Sequence, residues 1–153
     1  MTESFFKNQL KVVELASVLA GPAVGMFFAE LGAEVIKIEN KKTGGDMTRS
    51  WKLPSEAADS SYSAYYASVN WGKQTYLLDL EDTTDREQAY QLLADADIVI
   101  SNYRTKVAER LGVDYKKLSK QNPKLIFAQL NAFDEGSERP AFDVILQAEA
   151  GVI

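Results

Sequence analysis

Residues 12–49, VVELASVLAGPAVGMFFAELGAEVIKIENKKTGGDMTR, decide the fold. Lys11–Ala16 is rich in β-formers, and Gly21-Pro22 breaks the run and opens a helix with proline in its first turn. Val24, Phe27, Phe28 and Leu31 fall at i, i+3, i+4 and i+7, which predicts a buried helix face. Gly32 closes that helix, and Glu34–Glu39 predicts a second strand. A βαβ start of this kind builds a parallel sheet whose ligand sits beyond the carboxyl ends of the strands.

The rest of the chain repeats the alternation. Lys41–Ser55 is polar and glycine-bearing, a loop over the sheet's upper edge, and Ser60–Asn70 suits a short helix burying Tyr62, Tyr65 and Tyr66. Gln74–Leu80 predicts a third strand. Thr84 and Glu87 have the spacing of a capping box, before a helix whose apolar side is Ala89, Leu92, Leu93 and Ala96. Asp97–Ser101 reads as a short fourth strand covered on both faces. Thr105–Leu111, closed by Gly112, and Asp114–Gln121, stopped before Asn122-Pro123, predict two short helices. Lys124–Leu130 is the fifth strand, and Asp143–Ile153 carries an apolar helical pattern with Asp143 placed to cap it. The fold class expected is α/β, a doubly wound Rossmann-like parallel sheet.

At 153 residues the chain has the size of one ordinary domain. Its seventeen basic and twenty-two acidic residues give a net charge of −5, which argues against a nucleic-acid partner. No apolar run reaches membrane-spanning length and the start lacks a signal-peptide pattern, so no membrane and a cytoplasmic location are expected. Cysteine and histidine are both absent. That excludes a thiol nucleophile, a Ser–His–Asp triad and the commonest zinc ligands, so no metal is expected. Any acid, base or nucleophile is Asp, Glu, Lys, Tyr or a hydroxyl.

Three places carry candidate chemistry. The turn Val18–Pro22 after strand one offers backbone N–H groups and a helix N-terminus to an anion, but lacks the G-x-G-x-x-G of a dinucleotide site. Glu39 ends strand two where a ribose-binding acid would stand. Lys41, Lys42 and Arg49 surround paired glycines in a way that suits a phosphate or, equally, a solvated loop. After strand four, Asn102 can read a polar edge, Tyr103 can stack, and Arg104, Lys106 and Arg110 can answer phosphates. Arg110 reads equally well as a surface arginine. Asp79 reads as a turn residue.

Several motifs resemble family III CoA-transferases, the CaiB–BaiF group of carnitine CoA-transferase, formyl-CoA transferase and α-methylacyl-CoA racemase. They are LAGP (Leu19–Pro22), LGAEVIKIE (Leu31–Glu39), GGDMTR (Gly44–Arg49), SVNWGKQTYLLDL (Ser68–Leu80), ADIVISNYR (Ala96–Arg104), ERLGVDYKKLSKQNPKLIFAQL (Glu109–Leu130) and AFDVILQAEAG (Ala141–Gly151). The resemblance implies the amino-terminal segment, residues 1–153, of the family's large domain, with coenzyme A or an acyl-CoA as substrate at the sheet's carboxyl edge. It implies a carboxylic acid as co-substrate and an interlocked homodimer. Carried over by position, the contacts are Val18, Leu19 and Ala20 in the first turn, Leu78 near adenine, and Asn102, Tyr103, Arg110 and Leu111 along the nucleotide and pantetheine arm. Lys41, or its neighbour Lys42, stands in for an arginine that many relatives carry where this chain has Asn40. Formyl-CoA transferases carry glutamine where Leu19 stands. Phe142 occupies the place of the racemases' histidine, which favours a transferase. The family's nucleophilic aspartate falls beyond Ile153, so no catalytic residue is expected here and the segment by itself is expected to be inactive. An uncapped Gly-Val-Ile end fits the front part of something longer. The alternatives are a catalytically inert CoA- or subunit-binding module from a truncated gene, a racemase relative, or an ordinary nucleotide-binding domain.

Overall fold

The computed structural model describes residues 5–7, 9–134, 137, 139 and 142–153. Five parallel strands, β1 (Lys11–Leu15), β2 (Glu34–Asn40), β3 (Gln74–Leu78), β4 (Ile98–Ser101) and β5 (Ile126–Gln129), lie in the order β3-β2-β1-β4-β5. The chain winds outward from β1 to β3, then returns to β1 and winds the other way. The direction changes between β1 and β4, and crevices for ligands form at that switch point.

Helices α1 (Ala20–Glu30), α2 (Ala64–Asn70), α3 (Thr83–Ala94), α4 (Thr105–Leu111), α5 (Tyr115–Gln121) and α6 (Asp143–Glu149) complete the elements. Val13, Leu15, Ile36, Ile38 and Val99 point to one face, where Ala89 and Leu93 of α3, Ala108 of α4 and Leu118 of α5 cover them. Val12, Val35 and Ile100 point to the other, under Phe28 and Ala29 of α1. The two-residue alternation of side chains thus serves both cores.

Helix α1 departs from its predicted face. Val24 and Phe27 are exposed, and the buried residues are Gly21, Pro22 and Gly25. The helix approaches the sheet closely at two glycines: Gly21 lies against Ala16, where a Cβ would clash, and Gly25 lies over charged side chains. A Cβ on Gly25 would collide with the Glu14 carboxylate and stand 3.2 Å from Lys73 Nζ. Close approach therefore overrides the apolar pattern.

Other differences are local. The strands end one or two residues short of several predicted limits. Tyr66 is buried at α2 but Tyr62 is exposed and Tyr65 half-buried, since α2 starts only at Ala64. Its true cap is Ser63, whose Oγ accepts from Tyr66 N and donates to Thr48 O. Asp82 caps α3, taking Thr84 N and Asp85 N, in place of the Thr84–Glu87 box. Asp143 is the first residue of α6 and not its cap; that place is held by Phe142 without a side-chain bond. The AFDVILQAEAG motif begins at Ala141, which lies outside the described residues. Among the described residues, no helix is long and apolar enough to cross a membrane.

Candidate functional site

Charge enters the strands at matched register. Glu14 of β1 and Lys37 of β2 are direct neighbours in the parallel ladder. Both side chains are fully buried, and Lys37 Nζ donates to Glu14 Oε1 at 2.8 Å and Ala16 O at 3.0 Å. Its third acceptor is Asp46 Oδ2 at 3.1 Å, from the GGDMTR loop. Lys73, before β3, reaches Glu14 Oε2 at 2.7 Å, Pro22 O at 2.7 Å and Asn70 Oδ1 at 3.1 Å. Two carboxylates thus meet two ammonium groups, and each ammonium donates to three acceptors. Burial pushes the Lys73 amine down to about 8, while Glu14 opposes that shift.

This cluster ties three loops to the sheet's carboxyl edge. Asp46 also accepts Thr48 N, Thr48 Oγ1 and Val18 N. Burial alone would raise its carboxyl; the Thr48 bonds and Lys37 outweigh that and hold it below its usual value. A second knot lies beside it. Glu39 accepts Asp46 N at 2.9 Å, Arg49 Nε at 2.7 Å and the Tyr66 hydroxyl at 2.6 Å. Burial again works upward, but Arg49, Tyr66 and the Asp46 amide hold Glu39 below the ordinary carboxylate range. The guanidinium of Arg49 also lies 4.0 Å from the centre of the Tyr66 ring. Gly45, with φ +105°, admits this arrangement, because a Cβ there would strike Glu39 and Arg49.

Above these knots a cavity of about 480 Å³ opens over the carboxyl ends of β1 to β4. Its apolar lining includes Ile38, Met47, Leu78, Leu80, Tyr103, Val107 and Leu111, and its polar lining includes Ser17, Asp79, Glu81, Lys42 and Arg110. That mixture accepts a flat ring or an aliphatic arm on one side and an anionic group at the rim.

The expected contacts divide. Leu78, Tyr103, Arg110 and Leu111 come together in the cavity lining. Val18, Leu19 and Ala20 form the adjoining turn, with Leu19 and Ala20 exposed and Val18 at φ +73°. Asn102 stands behind this turn, donating to Ser17 O and accepting Ser17 N. Lys41 points away to Asp85 at 3.0 Å, and its neighbour Lys42 lines the cavity instead. Glu39 is no ribose reader, since both its oxygens are engaged inside the protein, and Arg49 is their partner rather than a phosphate ligand. Asp79 acts as a turn residue, accepting Glu81 N. Among the described residues, no group of three or more His, Cys, Asp or Glu is placed to hold a metal.

Sequence reasoning passed over Glu14, Lys37 and Lys73, and did not assign Asp46 or Glu81 a role. A charged residue inside each apolar strand run, KVVEL and EVIKIE, was the available signal.

Comparison with known proteins gives the same frame. The sequence pattern of CoA-transferase family III matches residues 8–153. Succinyl-CoA:mesaconate CoA-transferase of Haloarcula hispanica is 36% identical over 154 residues, covering 95% of this chain and 38% of that protein. Cinnamoyl-CoA:phenyllactate CoA-transferase of Clostridium sporogenes is 40% identical over 139 residues, covering 88% and 33%. The crystal structure of a CAIB/BAIF family protein from Brucella suis superposes with a TM-score of 0.89 at 36% identity, over 98% of this chain and 40% of that one. The chain spans about two fifths or less of the length of these relatives.

Proposed function

Because this chain belongs to CoA-transferase family III, we propose that its carboxyl-edge cavity binds coenzyme A and that the whole protein moves CoA from an acyl thioester to a carboxylic acid. One observation carries this reading. The cavity sits at the switch point of the sheet and pairs an apolar lining, Leu78, Tyr103 and Leu111, with two rim cations, Lys42 and Arg110. Such a lining suits a base and a pantetheine arm, and the cations suit phosphates.

The chain's own residues bind and orient rather than attack. Asp46 and Glu39 are the buried carboxylates nearest the cavity, and hydrogen bonds occupy both. A carboxylate so held is a weak nucleophile. In this reading the attacking aspartate lies outside these 153 residues. It adds to the thioester carbonyl, the CoA thiolate leaves, and an acyl anhydride remains for exchange with the incoming acid. A homodimer and a cytoplasmic location belong to the same proposal, as does the inactivity of these residues alone.

Titration calorimetry with CoA and with NAD tests the ligand. Binding of CoA with no comparable binding of NAD is expected. Tighter binding of NAD would replace this reading with that of a dinucleotide domain.

A further inference from the structure

At the cavity rim the two cations are partly exposed and already share one carboxylate partner. Lys42 Nζ donates to Glu81 Oε2 at 2.7 Å, with Asp79 Oδ2 at 3.2 Å, and Arg110 donates to the other oxygen, Glu81 Oε1. Lys42 comes from the loop after β2, Glu81 from the turn after β3, and Arg110 from α4 after β4. A loop residue and a helix residue, from two different parts of the chain, thus converge on one turn carboxylate. All three side chains are about half exposed, so the pairs are weak and exchangeable. A phosphate presents oxygens to two such donors much as this carboxylate does.

We propose that Glu81 is a built-in stand-in for a phosphate of the ligand: it holds Lys42 and Arg110 in a converged, ligand-ready geometry and must be displaced when CoA enters. The inference rests on the cavity's assignment to CoA. Glu81 then sets affinity in two ways, by competing for both cations and by repelling the incoming phosphate once displaced. It preorganises the rim at the expense of binding strength. Ligands without phosphate gain nothing from its removal.

The experiment compares CoA with pantetheine, which shares the thiol arm and lacks every phosphate. Binding to the wild type, Glu81→Gln and Glu81→Ala is measured by calorimetry at two salt concentrations. Both substitutions are expected to tighten CoA by about three- to ten-fold at low salt, to shrink that gain at high salt, and to leave pantetheine unchanged. Unchanged or weakened CoA binding in both variants, with the wild type still binding CoA, overturns the stand-in role and leaves the cavity's assignment intact. Equal tightening of CoA and pantetheine also overturns it, because the gain then has no connection with phosphate. A wild type that binds neither overturns the cavity's assignment itself.

Discussion

The Asp46 carboxylate accepts the backbone N–H of Val18 at 3.1 Å, joining the loop after β2 to the turn after β1. Val18 is β-branched and sits at φ +73°, a left-handed conformation that such residues adopt only when the surroundings enforce it. The same carboxylate neutralises Lys37, so an internal charge pair and a strained ligand-side turn share one group. The turn's shape is thus set by the buried cluster beneath it.

Asp46→Asn removes one of the two countercharges of a fully buried lysine while keeping the side-chain outline. Loss of one partner from a buried ion pair costs about 3–5 kcal/mol. Urea denaturation at neutral pH is expected to show a loss of this size. A change below about 1 kcal/mol would mean that Glu14 alone neutralises Lys37.

Val18→Gly probes the strain directly. Glycine relieves an αL penalty of about 1–2 kcal/mol but adds about 0.5–1 kcal/mol of unfolded-state entropy. The variant is expected to be as stable as the wild type, or slightly more so, in the same denaturation assay. A clear loss of stability would show that the Val18 side chain contributes packing that outweighs its backbone strain.

Gly25→Ala reverses the usual rule for helices. Alanine in a helix interior normally gains about 1 kcal/mol over glycine. Here the new methyl would displace Glu14 from Lys73 or lift α1 from the sheet. A loss of about 1–3 kcal/mol is expected by thermal or chemical unfolding. Stabilisation would show that α1 is free to shift outward without disturbing the cluster.

How far the sequence revealed this arrangement depends on which force governs each element. The strands and α3 follow from the apolar pattern, because Val13, Leu15 and Leu93 go where burial sends them, and α4 and α5 follow from the stops at Gly112 and Asn122-Pro123. α1 does not, because its contact surface is fixed by close approach to Ala16, Glu14 and Lys73, which lie outside the helix. The same holds for the site. Tyr103 follows the end of β4 into the cavity lining, as its place after a strand suggested, whereas Leu78 and Leu111 entered only through the family resemblance and line the same cavity. Lys41 and Lys42 are adjacent, and only the location of Asp85 and Glu81 decides which one turns outward. Long-range charge pairing leaves no periodic trace.

Lys73 makes stability depend on pH in the alkaline range. Burial lowers its folded-state value to about 8, against 10.5 for the ordinary side chain, although Glu14 works in the opposite direction. Between those values the unfolded chain binds more protons than the folded one, so this group's contribution to stability rises with pH. Below about 8 the penalty for keeping the buried ammonium charged is present in full; it is relieved on going up to 10.5. Denaturation midpoints measured across this window are expected to show an upward component that Lys73→Met removes. A wild-type curve with the same slope as the variant's would place the Lys73 amine at its ordinary value.

Lys41 and Lys42 differ by one position and in opposite senses for binding. Lys41 is paired with Asp85 outside the cavity, whereas Lys42 lines it together with Arg110. If the cavity holds CoA, Lys41→Ala leaves affinity within about two-fold, a change no larger than an exposed ion pair accounts for. Lys42→Ala and Arg110→Ala each remove a phosphate partner. Each is expected to weaken CoA by about 1 kcal/mol, roughly five-fold, because both groups are half exposed and screened. Calorimetry on the three variants decides the matter. A larger loss in Lys41→Ala than in Lys42→Ala would mean that the two side chains exchange roles when the ligand arrives.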